Sequence, residues 1–309
     1  MTSIPTITHR PFTTDDDYWL VHDLLIRTYA ITPIGFNWEI RRWEGKRFHD
    51  DNPDWIADWG KHAQMWETEM GELVAAVHPE GQGEAHLQVH PDYRHLEPDM
   101  LAWAEENLTA PAPDGRRQLE IFVNDYDAYR QRLLRERGFE KQEYGGVTRH
   151  LRLGAQPLTP PQLAAGYTLR TTNPDDLADC QRIADILNAA FNRDFHTGSD
   201  YQNFARQAPC FRRDLDLVAV APDGSFAAYV GIPYDEANKL GIFEPVCTHP
   251  NHQRKGLGKA LMQEGLLRLK AIGAVTVTVG TGDMIPANRL YDSLGFTEAY
   301  KGYIWQKVF

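Results

Sequence analysis

The sequence predicts an α/β fold, with mixed sheets of the α+β kind, built as two tandem domains of one plan. Segments with strand and helix periodicity alternate along both halves of the chain, which is the pattern of an α/β protein. The length of 309 residues is about that of two domains. Between the halves, residues 154–166 hold three prolines and two glycines and are predicted to be a linker. The predicted domains are therefore residues 1–153 and 167–309.

The composition is that of an ordinary soluble globular protein, with 42% hydrophobic and 24% charged residues. No run approaches the roughly 18 apolar residues of a membrane span, and the first residues lack the basic-then-apolar layout of a secretory signal. Three cysteines without zinc-ligand spacing fit a reducing compartment, so we expect a cytoplasmic protein with no membrane partner. The net charge of −11 argues against nucleic acid as a partner.

The negative charge lies mainly in the first half. Residues 1–160 contain 17 Lys and Arg against 27 Asp and Glu, whereas residues 161–309 contain 15 against 16. An anionic cofactor is therefore favoured in the second half. The twelve histidines show no metal-ligand spacing, so no metal site is predicted.

The first half opens with a predicted strand and a helix that the acidic run at residues 15–17 could cap. The Trp-rich stretch 36–66 is interpreted as packing, in the core or between domains, with a ligand wall as the alternative. Strands are predicted near residues 6–10, 64–68, 72–78, 84–89 and 118–123, and helices over residues 15–30, 100–108 and 126–136.

The second half repeats this order of elements. Strands are predicted at residues 167–171, 216–221 and 225–232, with a helix over residues 175–192. A further strand begins at residue 241 and ends at the His249-Pro250 break. Pro245 lies inside that strand. Because proline has no N–H to donate to a sheet, we expect the strand to leave its neighbour there.

A glycine-rich turn follows that strand and opens a helix. The free N–H groups of a helix start, together with the helix dipole, form an anion site. Gly256 and Gly258 let a phosphate approach the main chain, and Arg254, Lys255 and Lys259 add positive charge. The turn is therefore predicted to bind a diphosphate. The helix presents one apolar face at helical spacing, formed by Leu257, Leu261, Met262, Leu266, Leu269 and Ile272.

The motifs of two other phosphate-binding loops do not fit this sequence. A Walker loop requires glycine where Gln253 stands, and Ser or Thr where Ala260 stands. A dinucleotide-binding fingerprint requires a third glycine where Leu261 stands. An ordinary solvated helix start, with no ligand, is the remaining alternative.

The spelling Q-x-x-G-x-G at residues 253–258, after a strand, resembles the acetyl-CoA loop of the GCN5-related N-acetyltransferase (GNAT) family. Downstream, N-x-L-Y-x-x-L-G-F at residues 288–296 resembles the second signature of that family. The two motifs occur in the order found in that family, and the distance between them is about the length of one helix-and-strand crossover. The resemblance covers residues 165–309 well and the first half faintly. The two-lobed plan resembles that of the mycothiol synthase type, a likeness of architecture that does not identify the acceptor.

The resemblance implies that acetyl-CoA is the co-substrate and lies along the end of the split strand. Val246, Cys247 and Thr248 would then meet its pantetheine arm. Asn288 would hold the pantetheine or orient Tyr291. The residues implied for the diphosphate are Gln253, Arg254, Lys255, Gly256, Leu257, Gly258, Lys259 and Ala260.

Acetylation of an amine needs a base more than an acid. Neutralising an amine of pKa about 10.4 at pH 7 costs roughly 4.6 kcal/mol, whereas a leaving thiolate of pKa about 8.5 needs about 2 kcal/mol of help. Glu244, just before the cofactor segment, is the predicted base, directly or through a water. The family signature implies that Tyr291 is the acid that reprotonates sulfur. The alternatives are a solvated Glu244 and a Tyr291 that only fills the core.

The first half keeps the outline of this domain and lacks its functional positions. Two carboxylates, Glu97 and Asp99, stand at its phosphate loop and would repel a diphosphate. We therefore interpret the first half as a degenerate copy that does not bind the cofactor. The residues opposite Gly256, Gly258, Glu244, Asn288 and Tyr291 are Glu97, Asp99, Ala85, Gln131 and Leu134, in that order.

The sequence thus predicts an acetyltransferase with one active site, in the second half, that moves an acetyl group from acetyl-CoA to an amine of a small molecule. Two alternatives stay open: a CoA-responsive binding or regulatory module without turnover, and an acetylase of protein N-termini or lysines. The acceptor is predicted to lie near Phe191, Phe195, His196, Tyr201, Phe204 and Phe211.

Overall fold

A computed structural model describes residues 6–49, 54–112, 114–155, 157–282 and 284–309. These residues divide into two compact units. The first comprises residues 6–40, 54–147 and 300–309, and the second comprises residues 41–49 and 148–299, apart from the gaps just given.

The strands and helices alternate along most of the chain, as the periodicity predicts. The strands are β1 (Ile7–Pro11), β2 (Gln64–Thr68), β3 (Leu73–His78), β4 (Glu84–Val89), β5 (Ala110–Pro111), β6 (Arg117–Asn124), β7 (Glu140–Arg152), β8 (Thr168–Thr171), β9 (Leu217–Val220), β10 (Phe226–Val230), β11 (Tyr234–Asp235), β12 (Leu240–Ile242), β13 (Val246–Thr248), β14 (Thr276–Thr281) and β15 (Glu298–Val308). The helices are α1 (Asp15–Tyr29), α2 (Ile40–Phe48), α3 (Trp55–Trp59), α4 (Glu97–Asn107), α5 (Ala128–Glu136), α6 (Leu177–Phe191), α7 (Gly198–Gln207), α8 (Leu257–Ala271) and α9 (Ile285–Asp292).

The first unit is built on a mixed sheet in the order β1-β2-β3-β4-β6-β15-β7. Strands β1 to β4 pair antiparallel, β6 is parallel to β4, and β15 is antiparallel to β6. Alternate side chains of these strands pack against α4 in one core. Members of that core include Leu87, Leu101, Ile121, Leu134 and Trp305.

Helix α1 begins at the acidic run that the sequence marks as a cap. The Thr14 side chain accepts a hydrogen bond from Asp17 N at 3.3 Å, and the Asp17 carboxylate accepts one from Thr14 N at 2.9 Å. This reciprocal pair is a capping box, which satisfies N–H groups that a helix start leaves without partners. The cap predicted at residues 15–17 is therefore confirmed.

The second unit has two groups of strands. One is an antiparallel sheet in the order β13-β10-β9-β8, and the other has the order β7-β14-β12-β11, with β12 parallel to β14. Helix α8 packs its predicted apolar face into the core beside them. Gly265, in the middle of α8, permits this close approach because a Cβ there would lie 3.0 Å from the Phe243 ring.

The predicted strands and helices of the second half are confirmed, with ends that differ by one or two residues. The strand predicted from residue 241 differs, because it is divided into β12 and β13 by residues 243–245. The sequence also gave no separate prediction for helices α2, α3 and α7. The described part of the linker, residues 154–155 and 157–166, contains no helix or strand.

The units do not follow the predicted domain limits at every point. Residues 302–308 of β15 pair with β6, so the end of the chain belongs to the first unit. Residues 41–49, from the Trp-rich stretch, belong to the second unit. The limits predicted for the two domains, residues 1–153 and 167–309, stay a prediction.

The tryptophans of residues 36–66 are mostly buried. Trp43 is fully buried, and Trp38, Trp55 and Trp66 are at most 9% exposed. Their rings therefore serve the cores, as the packing interpretation states. Across the part of the chain that the structure covers, no helix is both long enough and apolar enough to span a membrane.

The pairing of β7 with β15 makes a stability prediction at Gly145. A Cβ at this position would lie 2.8 Å from Tyr303 Cα and would also meet the Gly302 carbonyl. We expect Gly145→Ala to lower the free energy of unfolding by roughly 1–3 kcal/mol, because the main chain of β15 would have to move. Urea denaturation measures the effect.

Gly280→Ala is the matched control, since a Cβ there has no neighbour within 4 Å. Its free energy of unfolding should change by less than about 0.5 kcal/mol. Equal effects of the two substitutions would contradict the close contact of the strands.

Candidate active site

The strand that carries the predicted base leaves one sheet and joins the other. Phe243 N still donates to Thr278 O of β14 at 2.9 Å. The next residue turns away, and Glu244 N donates to Gly231 O at 3.0 Å. Beyond Pro245, whose peptide bond with Glu244 is cis, the chain pairs as β13 with β10. A gap thus opens between β13 and β14, as Pro245 predicts.

The glycine-rich turn leads into the start of α8. Arg254 and Gly256 have positive φ angles of 60° and 74°, and Gly256 occupies the N-cap. The first bond of the helix runs from Ala260 N to Gly256 O, at 3.0 Å. The N–H groups of residues 257–259 therefore have no carbonyl of an earlier turn to bond. They are the donors that an anion would use.

The space in front of this helix start is open. A Cβ at Gly256 would meet no atom within 4 Å, and one at Gly258 would lie 3.4 Å from Thr248 Oγ1. Gly258 thus faces β13, on which the pantetheine arm is predicted to lie. A side chain at either glycine would fill this space.

The cations of the turn remain available to a ligand. Arg254 and Lys255 are exposed, and Lys259 is half-buried. Lys255 Nζ lies 5.6 Å from the centre of the Tyr167 ring. None of the three forms an ion pair with a residue that the structure describes.

Glu244 lies at the divergence itself, between Phe243 and the cis proline. Its side chain is 51% exposed, so water and a solute can reach the carboxylate. Arg41 of α2 approaches it, with Nε 3.7 Å from Glu244 Oε2. The sequence contains no local signal for this arginine, which is about 200 residues away.

Tyr291 projects from α9 into the core of the second unit. Its side chain is buried against Phe296, with ring centres 6.1 Å apart. Burial raises the pKa of the Tyr291 hydroxyl to about 12, and the nearby charge of Arg149 opposes this rise. The hydroxyl is therefore protonated at neutral pH. The packing and acid interpretations of Tyr291 are both compatible with this position.

Asn288 is engaged by the protein on both sides of its amide. Its Oδ1 accepts a hydrogen bond from Arg149 Nε at 2.8 Å, and its Nδ2 donates to the carbonyls of Gly282 and Met284, each at 3.0 Å. Arg149 also binds Asp292 at 2.6 Å. The amide thus anchors α9, which favours the orienting alternative for Asn288 over contact with pantetheine.

The predicted cofactor strand is short. Val246 and Thr248 of β13 are half-buried, whereas Cys247 between them is buried. Burial raises the pKa of the Cys247 thiol to about 12, so this sulfur stays protonated at neutral pH and is a poor nucleophile. The side chain of Cys247 packs in the core of the second unit.

The aromatic residues predicted to surround the acceptor divide into two sets. Tyr201 and Phe204 are buried, whereas Phe191 and Phe195 are exposed. His196 and Phe211 are half-buried. Phe204 is covered by the residue that follows α2, since the His49 ring stacks on it with centres 4.3 Å apart and an interplanar angle of 6°.

A buried carboxylate lies beneath Tyr201. Asp216 accepts hydrogen bonds from the hydroxyls of Tyr201 at 2.5 Å, Tyr229 at 2.8 Å and Thr172. Burial raises the pKa of Asp216 to about 6, although the three hydroxyls oppose the rise. This cluster fixes Tyr201 against the sheet. Sequence reasoning missed it, because its members come from four separate elements or loops.

The first unit has a carboxylate in the first turn of α4, the helix that corresponds to α8 in the sequence alignment of the two halves. Glu97 begins α4 and is fully buried. Its two oxygens accept hydrogen bonds from Arg94 Nε at 2.5 Å and Arg130 Nε at 2.8 Å. The cations next to this helix start are thus paired within the protein.

A pocket of about 300 Å³ lies beside α8 in the second unit. Lys259 and Gln263 of α8 line it, together with Leu158 of the linker and Ser293 after α9.

The first unit, among its described residues, holds one cluster of metal-ligand type: Glu80, Glu84 and His86, with ligand atoms within 4.8 Å of one another. Such partly exposed acidic groups are common without an ion, and the predicted lack of a metal site stays a prediction.

Comparisons with known proteins match both the fold and the C-terminal signatures. Residues 180–296 match the family model of the acetyltransferase (GNAT) family. A mycothiol acetyltransferase from Kineococcus radiotolerans is 29% identical over 235 residues, which are 74% of this chain and 74% of that protein.

Two solved structures share the fold over nearly the whole chain. A GCN5-related N-acetyltransferase from Sphaerobacter thermophilus has a TM-score of 0.64 and 18% identity, and the match covers 98% of this chain and 95% of that one. A tandem GNAT protein from the clavulanic acid biosynthesis pathway has a TM-score of 0.66 and 17% identity over 98% of each chain. The predicted fold class, with tandem domains, is confirmed.

His49 makes the stability of this region depend on pH. Burial, with the charges of Arg41 and His196, lowers the pKa of His49 to about 3. In the unfolded chain the pKa of histidine is about 6.5. Between these values the unfolded chain binds the proton and the folded chain does not, so His49 destabilises the fold as the pH falls below 6.5.

We expect His49→Phe, which keeps the stacked ring, to remove this dependence. Between pH 8 and pH 5 the wild type should lose on the order of 2 kcal/mol more than the variant. Urea denaturation at both pH values measures the difference. Parallel losses in the two proteins would contradict the neutral state of the half-buried His49 ring.

Proposed function

Because residues 180–296 match the model of the acetyltransferase (GNAT) family, we propose that the second unit transfers an acetyl group from acetyl-CoA to an amine of a small molecule. The observation that carries the proposal is the helix start at Gly256, with free N–H groups and unpaired cations, beside the gap at Glu244. One unit thus presents an open, cation-flanked helix start and a reachable carboxylate together, which supports the proposal.

The chain's own groups fit the co-substrate. The N–H groups of residues 257–259 would bind the diphosphate, with Arg254, Lys255 and Lys259 as counter-charges. The edges of Val246 and Thr248 would bind the pantetheine arm through the main chain, where β13 has left β14. Gln253 lies at the exposed rim of the turn. Acetyl-CoA supplies the acyl group in an activated form, as a thioester.

Glu244 is the proposed base. An amine of pKa about 10.4 must lose a proton before it attacks, which costs roughly 4.6 kcal/mol at pH 7. The half-exposed carboxylate of Glu244 can accept that proton directly or through a water. Attack is direct, because Cys247 is protonated and buried and offers no acyl-enzyme route.

Tyr291 is proposed to assist the departing sulfur. Its hydroxyl is protonated, but transfer of its proton to a thiolate of pKa about 8.5 is uphill by about 5 kcal/mol from a pKa of about 12. A hydrogen bond to the sulfur is therefore its main contribution. Asn288 and Arg149 hold α9, and with it Tyr291, in place.

The first unit is proposed to bind no acetyl-CoA. Glu97 occupies the start of α4 and pairs with Arg94 and Arg130, so a second anion would meet a buried negative charge. Asp99 adds another carboxylate in the first turn of that helix. The relative from Kineococcus radiotolerans is a mycothiol acetyltransferase, and this supports a small molecule as the acceptor here.

Substitution of the two catalytic candidates tests the mechanism. With a panel of small amines and acetyl-CoA, Glu244→Gln should lower kcat/KM by about 10²- to 10⁴-fold, because the amine keeps its proton. Tyr291→Phe should lower it by a smaller factor. Release of CoA is the measurement, and Glu236→Gln, at an exposed position of the same unit, is the control that should retain full activity.

Turnover that survives both substitutions would remove these roles. CoA binding without turnover of any amine, by the wild type, would instead identify a CoA-responsive regulatory module. Acetylation of a peptide amine in preference to all small amines would favour the protein acetylase.

Charge at the helix start tests the cofactor site. Gly258→Asp places a carboxylate before α8, as Asp99 does in the first unit, and the new Cβ has ordinary contacts. We expect calorimetry to find CoA affinity lowered at least about tenfold, because the carboxylate repels the diphosphate. Asp99→Gly, the matched change in the first unit, should leave CoA affinity unaltered. If Asp99→Gly changed CoA affinity and Gly258→Asp did not, the cofactor site would have to be assigned to the first unit.

A further inference from the structure

Helix α2 places an arginine beside the proposed base. Arg41 Nε lies 3.7 Å from Glu244 Oε2, and its guanidinium carbon lies 5.6 Å from the centre of the Phe204 ring. The Arg41 side chain is 16% exposed, whereas that of Glu244 is 51% exposed. The guanidinium is thus next to the base and near the predicted acceptor residues, and is more shielded from water.

The ion pair with Glu244 does not provide a hydrogen bond for the Nε donor of Arg41. Nε of Arg41 is buried and has no hydrogen-bond partner among the residues that the structure describes. A separation of 3.7 Å gives an attractive ion pair without a hydrogen bond. Arginine has a fork of donors that matches the two oxygens of a carboxylate. A buried charged donor without an acceptor is costly, and an oxyanion bound to this guanidinium would offset part of that cost.

The helix makes room for the guanidinium at this position. A Cβ at Gly45, one turn after Arg41, would lie 2.5 Å from Arg41 Nη1. Glycine weakens a helix interior relative to alanine. Its presence allows the guanidinium to lie flat along α2, and any larger residue would displace it.

We propose that the acceptor amine carries a carboxylate close to its nitrogen, and that Arg41 binds this carboxylate while Glu244 takes the proton of the amine. The inference rests on the proposed function and narrows its acceptor class. In an α-amino acid the nitrogen and the carboxyl carbon are roughly 2.5 Å apart. Such a molecule can reach both Arg41 and Glu244, which are 3.7 Å from each other.

The test compares amino acids with their carboxamides, which keep the amine and lose the negative charge. Phenylalanine with phenylalaninamide, and alanine with alaninamide, are two such pairs. In the wild type we expect kcat/KM for the acid to exceed that for the amide by roughly 10- to 100-fold, the effect of a hydrogen-bonded charge. Arg41→Gln should reduce this ratio to near one, and Arg41→Lys should leave it intermediate, because lysine lacks the fork.

Arg206→Gln is the matched control. Arg206 lies on α7, is about half exposed, and lies 4.0 Å from Asp175 in a long ion pair. Its substitution removes one positive charge from the helix of Phe204 and should leave the ratio unchanged. Thermal denaturation checks that each variant is folded.

A ratio near one in the wild type, or a ratio that Arg41→Gln does not alter, would overturn the inference and leave the acetyltransferase proposal intact. If no amine in the panel is acetylated, that proposal fails separately. The carboxylate site is then tested by calorimetry with phenylalanine and phenylalaninamide in the presence of CoA. Tighter binding of the acid that is lost in Arg41→Gln would support the site, and equal binding of the two compounds would overturn it.

Discussion

The exit of one strand from its sheet is the constraint on which the rest of the candidate site depends. The main chain at Glu244 bonds to Gly231 instead of continuing along β14, and β13 then pairs with β10. This exit leaves a strand edge without a neighbour inside the second unit. A ligand with its own amide groups can use that edge as a neighbouring strand would. It also places Glu244 at the mouth of the gap, and the chain then proceeds directly into the turn before α8.

The parts of this site that are local in sequence could be predicted, and the parts that combine remote segments could not. The turn before α8 follows from glycines and cations within seven residues, and the departure of the strand follows from Pro245. Arg41 and Arg149 carry no such signal, since each reaches the site from the first half of the chain. Their positions depend on the packing of α2 and on the course of β7.

The two units share one order of elements but differ in the charged side chains at corresponding helix starts. At the start of α8, glycines leave the N–H groups open and the cations unpaired. At the start of α4, Glu97 binds Arg94 and Arg130 and is buried. A helix start attracts negative charge in either case. In the first unit this charge is part of the chain, and in the second unit an anionic ligand is proposed to supply it.

The position of β15 has a consequence for synthesis of the protein on the ribosome. Residues 302–308 pair with β6 in the first unit, yet they are translated after nearly all of the second unit. At about 5–20 residues per second, the nascent chain spends on the order of ten seconds or more with the edge of β6 lacking this partner. An uncovered strand edge is a template for wrong pairing. The first unit therefore reaches its final fold only after residues 302–308 have been translated, and chaperones that shield exposed strand edges have most to offer before then.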